Sequence, residues 1–179
     1  MIYMFIAEGF EEIEALCPLD IMRRAGLEVT TVGVGSNRVC GAHGITVETD
    51  MIHSDFRADD IEMIFLPGGM PGTLNLAGCD TVIDAVRAAV DYDSYVAAIC
   101  AAPSILGDMG LLKDKRAVCY PGFEDRLTGA VIPDEKVVLD GNILTAKGMG
   151  AAVEMGLKIV EIFRGKDAAR ELRHAIIAD

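Results

Sequence analysis

The sequence predicts an α/β layered fold with a mostly parallel central sheet. Continuous apolar, β-rich runs recur at residues 1–7, 27–34, 61–67 and 95–99, and amphipathic stretches separate them. Runs that are apolar at successive positions suit strands covered on both faces. Strand, helix, strand order then makes neighbouring strands parallel.

The elements follow in order. MIYMFIA opens as a buried strand, and FEEIEALCPLDIMRRAG reads as a helix that closes at Gly26. LEVTTVGV gives the second strand, and the segment around Cys40 reads as a glycine-bearing loop or hairpin. IEMIFLP runs into the loop LPGGMPGTLN, and the helical stretch at 79–93 leads to YVAAI. A helix is expected from Pro103, where a missing N–H costs nothing in the first turn. In VVLDGNILTA, Asp140-Gly141 between two apolar runs signals a tight hairpin. A long helix from about 149 to 164 and another after Gly165 close the chain.

With 179 residues and 51% hydrophobic content, the chain is long enough for one well-buried core, and one domain over 1–179 is expected. A net charge of -12 repels phosphate backbones and anionic lipid heads, so neither nucleic acid nor a membrane surface is an expected partner. MIYMFIAEGFEE lacks the basic leader and cleavage site of a signal peptide, and no apolar run reaches membrane-span length. A cytoplasmic location is the expectation. Five cysteines, at 17, 40, 79, 100 and 119, are odd in number and scattered, which argues against a disulfide framework and a zinc knuckle. Reduced thiols are expected, each by default a small hydrophobic packing residue.

Ligands of an open parallel sheet bind where strand C-termini turn into helices. Two such loops stand out. Gly68 and Gly69 lack side chains, so their backbone N–H groups can approach a bound oxygen; the same pair equally suits a plain tight turn. No phosphate loop or dinucleotide fingerprint occurs, so no nucleotide cofactor is indicated. The second loop is YVAAICAAPSIL, where Cys100 stands between a strand and a helix start, flanked by Ala98, Ala101 and Ala102. Small neighbours are what a sharp nucleophile elbow needs. A helix N-terminus there is expected to favour the thiolate.

A nucleophile needs a proton partner. Glu14 shares a helical stripe with Cys17, Pro18 and Ile21, whereas Glu11 and Glu12 fall nearer solvent-facing positions. Two readings of Glu14 stand: a carboxyl whose pKa is raised on an apolar stripe, or a solvated acidic cap at a helix start.

The segments AEGFEEIEALCPLDIMRRAG, LPGGMPGTLNL, AAICAAPSIL and ILTAKGMGAAVEMGLKIVE together resemble the DJ-1 (ThiJ/YajL-type) branch of the DJ-1/PfpI superfamily, in order over essentially the whole chain. The resemblance implies a flavodoxin-like three-layer sandwich, a homodimer using the first helix with Met22 and Arg23-Arg24, and a reactive Cys100. It also implies a buried, protonated Glu14 hydrogen-bonded to that cysteine, with the Gly69 and Ala101 N–H groups facing an oxyanion. Neither metal nor cofactor is implied. Relatives with this pattern include glutathione-independent glyoxalases, so a small reactive carbonyl such as methylglyoxal is the implied substrate. Deglycation is a hydrolytic variant on the same thiol, and redox sensing or protective chaperoning through Cys100 oxidation is the alternative.

Two departures matter. Protease-like relatives carry a histidine directly after the cysteine, whereas Ala101 follows Cys100, so peptidase activity is not expected. DJ-1-like members place a histidine where this chain has Tyr120, and a phenol is a poor base near neutral pH. His43 and His53 lie after the second strand and His174 in the terminal helix, so none supplies that group. GMGA at 148–151 stands where the family has a GPGT-like motif.

Overall fold

The computed structural model describes residues 1–178. The apolar runs form strands β1 (Ile2–Ile6), β2 (Val29–Gly33), β6 (Met63–Leu66) and β7 (Tyr95–Ile99), and the Asp140-Gly141 turn joins β8 (Val137–Asp140) to β9 (Ile143–Ala146). With the short β5 (Met51–Ile52) they build a seven-stranded sheet of order β5-β2-β1-β6-β7-β9-β8. Only the β8–β9 pair is antiparallel. Strands β3 (Arg38–Cys40) and β4 (Thr46–Glu48) form a separate hairpin.

Alternation along each strand sends side chains to two cores. Ile2, Met4 and Ile6 face helices α1 (Glu12–Arg24), α5 (Ala152–Arg164) and α6 (Lys166–Ala175), while Phe5, Ile64 and Val96 face α2 (Gly72–Ala77), α3 (Asp80–Asp91) and α4 (Pro103–Asp108). The result is helix, sheet, helix: a flavodoxin-like three-layer sandwich. Gly156 of α5 lies against Ile21 of α1, where a Cβ would approach to 3.0 Å, so these helices pack closely. Pro18 inside α1 lacks the N–H that would bond the Glu14 carbonyl.

One expectation is corrected here. Met22 is fully buried in the core under α1, so it cannot line an outer face of that helix. Helix α4 is only six residues long, because turns follow Asp108 at once. Its dipole is correspondingly small. Among the described residues, no helix is long and apolar enough to cross a membrane.

Helix α4 is wedged in place after Cys100. A Cβ at Gly107 would lie 2.0 Å from the Arg126 carbonyl oxygen, a backbone atom with no freedom to yield. Gly107→Ala is expected to destabilise the fold by about 3 kcal/mol through overpacking, read as a lower urea midpoint at unchanged slope.

Candidate active site

Cys100 follows β7 directly and adopts φ 65, the left-handed region that side-chain-bearing residues rarely occupy. Two backbone bonds hold it there: its N–H donates to the Ala146 carbonyl at 2.9 Å, and its carbonyl accepts the Tyr120 N–H at 2.8 Å. The strand, the β9 end and the 117–120 segment therefore meet at one residue. Pro103 begins α4 three positions on.

Glu14 reaches this elbow from α1 and is 1% exposed. Its Oε2 accepts the Gly68 N–H at 3.1 Å, and its carboxyl also takes bonds from the Cys100 thiol and the Met149 N–H. Glu11 is the N-cap of α1, accepting the Glu14 N–H at 2.8 Å. Gly68 is required by proximity: a Cβ there would sit 2.5 Å from Glu14 Oε2 and 2.6 Å from Cys100 Cβ. Gly69, at φ 93, donates its N–H to the Cys100 sulfur, as does Ala101.

The electrostatics follow from burial. Desolvation lifts the Glu14 carboxyl to about 7, against the hydrogen bond from Cys100 that favours its charged form. Burial, then the Glu14 charge, push the Cys100 thiol up to about 12, although the Gly69 and Ala101 N–H groups favour the thiolate. Desolvation and the adjacent carboxyl thus oppose the thiolate that the helix start and the two N–H groups favour. Both groups are raised by burial, so the pair retains a proton at neutral pH.

Tyr120 is brought to the rim. Its amide bonds Cys100, and a Cβ on Gly148 would touch both its ring, at 3.3 Å, and Glu14 Oε1, at 3.6 Å. The ring is half-exposed. Gly148 keeps this gap open, the place of GMGA in the geometry. Cys119 is buried in the core on the opposite face of the sheet from Cys100, which disfavours a direct disulfide between them. His53 and His174 lie on other elements.

Glu12 is not solvent-facing. It is 3% exposed, because the 40–45 loop folds over it: Oε1 accepts the His43 N–H at 2.7 Å, and Oε2 meets the His43 ring at 2.8 Å. Helical spacing misplaced it, since the covering element is remote in sequence. Among the described residues, Glu11, Glu12 and His43 form the one group of ligand-type atoms within 4.8 Å of one another. The Glu12 oxygens are already engaged by that loop.

A family model described as the DJ-1/PfpI family matches residues 1–162. The chain belongs to the DJ-1/PfpI family. Among curated members, Protein DJ-1 homolog B of Arabidopsis thaliana is 35% identical over 96% of this chain, which spans 40% of that protein's length. A Caenorhabditis elegans protein named glutathione-independent glyoxalase DJR-1.2 is 32% identical, over 92% of this chain and 89% of its own length. Among solved DJ-1 folds, a DJ-1 superfamily protein from Salmonella typhimurium superposes with TM-score 0.93 at 33% identity, covering 98% of this chain and 97% of its own. Oxidised Toxoplasma gondii DJ-1 gives TM-score 0.94 at 29% identity, with 98% and 97% covered.

The raised carboxyl has a measurable consequence. Its folded-state value of about 7 exceeds the ordinary 4.5, so the folded protein holds a proton that the unfolded chain releases. That contribution is complete below the ordinary value and is lost as pH rises through the folded one. Wild type should lose up to about 3 kcal/mol more stability than Glu14→Gln between about pH 4 and 8, measured by urea unfolding.

Proposed function

We propose that this DJ-1/PfpI member is a cofactor-free, cysteine-dependent enzyme of the glyoxalase type, acting on small dicarbonyls such as methylglyoxal. The observation that carries the reading is a buried glutamate with a value of about 7 hydrogen-bonded to a thiol on a left-handed elbow. A group titrating near the working pH is suited to taking and returning protons.

The chemistry balances without a metal or added thiol. Glu14 takes the Cys100 proton as the sulfur attacks the aldehyde carbon, and the resulting oxyanion lies beside the Gly69 and Ala101 N–H groups. Glu14 returns that proton to the oxygen, giving a hemithioacetal and a free carboxylate. Glu14 then removes the proton from the former aldehyde carbon and the neighbouring carbon is protonated, yielding a hydroxyacyl thioester. Water cleaves the thioester, giving lactate and the free thiol. Tyr120 at the rim donates a hydrogen bond to substrate oxygen rather than acting as base. Hydrolysis of glycated adducts at the same thiol is the variant. The similarity to the named glyoxalase at 32% identity supports this reading.

The homodimer belongs to the same proposal, with a second copy on the face carrying exposed Ile13 of α1 and Val153 of α5. A cytoplasmic location is also proposed, from the reduced thiols expected there.

A second reading, redox sensing, is favoured by the two N–H donors around the Cys100 sulfur, which suit a sulfinate, and by the oxidised form of the Toxoplasma relative. With the thiol held high, its oxidation should be slow at neutral pH and accelerate as pH rises.

Lactate formation from methylglyoxal decides between them. Wild type should turn over, Cys100→Ser should lose all measurable activity, and Glu14→Gln should fall by about 100-fold or more. Tyr120→His should retain activity. Absent turnover in wild type, with graded peroxide converting Cys100 to sulfinate ahead of Cys40, would support the sensor instead.

A further inference from the structure

The fold buries a second carboxylate that this chemistry leaves unused. Glu12 Oε1 accepts the N–H groups of His43 and Ile45 at 2.7 and 3.4 Å. Gly41 passes so close that a Cβ there would sit 2.3 Å from Oε1. Burial opposes charge on Glu12, but the His43 ring and the loop N–H groups outweigh it and hold the carboxyl below its ordinary value. The side chain is therefore an anion at neutral pH, fixed by a loop more than 25 residues away in sequence.

That loop in turn grips residues 8–10. The Gly9 N–H donates to the Cys40 carbonyl at 2.8 Å, the Ala42 N–H donates to the Phe10 carbonyl at 2.8 Å, and the Cys40 N–H donates to Glu8 Oε2 at 3.1 Å. The other side of the same strip carries the glycine loop. The Glu11 N–H donates to the Gly68 carbonyl at 2.9 Å, the Gly72 N–H donates to the Gly9 carbonyl at 3.1 Å, and a Cβ on Gly69 would lie 2.3 Å from the Glu11 nitrogen. Three backbone layers are thus stacked: the 40–45 loop, the 8–11 strip and the 68–69 loop.

We propose that Glu12 is a positioning residue for the Cys100 centre, its carboxylate clamping the outer loop so that the strip holds the Gly68 and Gly69 N–H groups on Glu14 and on the sulfur. The proposal rests on Cys100 being the reacting group. Glu12 touches neither Cys100 nor substrate; it acts through the aim of two backbone donors, and small errors in such aim have large effects on reactivity.

The test is the pH profile of Cys100 alkylation by iodoacetamide, followed by peptide mass spectrometry in the intact protein. Glu12→Ala should slow alkylation about tenfold near pH 8 and move the profile upward, because thiolate and carboxylate both lose donors. Glu12→Gln should restore a near wild-type profile, since its amide oxygen still accepts the two loop N–H groups. A purely structural role would lower thermal stability without moving the profile of the folded protein. An unchanged profile in folded Glu12→Ala overturns the proposal. Should that variant not fold, Gly41→Ala and His43→Ala weaken the clamp from the loop side, and wild-type profiles in both overturn it equally. Alkylation needs no dicarbonyl turnover, so a wild type that makes no lactate but shows the Glu12→Ala shift rejects the glyoxalase reading while the clamp stands.

Discussion

The left-handed backbone of Cys100 is the constraint on which the site depends. A residue with a Cβ costs about 1–3 kcal/mol in such a conformation and persists only where its surroundings over-determine it. Here the Ala146 carbonyl and the Tyr120 N–H fix its two backbone groups, and Gly68, with no side chain, leaves the room that the Cys100 Cβ needs. Relaxed helical backbone would carry the sulfur away from Glu14 and from the Gly69 and Ala101 donors. The strain therefore converts an ordinary core position into one where a thiol, a carboxyl and backbone N–H groups converge.

Convergence in a dry place sets the proton arrangement. A thiolate and a carboxylate side by side without solvent repel, so the pair keeps a proton between them over the neutral range. On the proposed glyoxalase reading, attack by the sulfur is coupled to proton transfer within this pair. The neighbouring Glu12 shows the opposite outcome of burial. Its oxygens receive loop N–H groups and an imidazole, so it stays charged where Glu14 is lifted to neutrality.

Much of this was legible in the sequence. The parallel strands announced themselves as uninterrupted apolar runs, Asp140-Gly141 marked the antiparallel edge, and Cys100 stood at the junction of YVAAI and Pro103. Glu14 shared its stripe with Ile21, which is buried in the core. What escaped depended on contacts distant in sequence. Helical spacing put Glu12 toward solvent because nothing local reveals a loop 30 residues on that folds back over it. Met22, which the resemblance placed at the dimer face, packs in the core under α1 instead. Pro103 gave the start of α4 but no signal of its end at Asp108. The short β5 and α2 carry too few residues for any periodicity to show.

The central claim is that Glu14 and Cys100 share one proton near neutrality. It is tested most directly by isotope-edited NMR of the glutamate carboxyl carbons across pH in wild type and Cys100→Ala. One glutamate should titrate at about 7 in wild type. Its midpoint should move upward in Cys100→Ala, because the thiol donor that favours the carboxylate is gone. A Glu14 resonance that titrates at the ordinary 4.5, or one indifferent to loss of the thiol, would contradict the account.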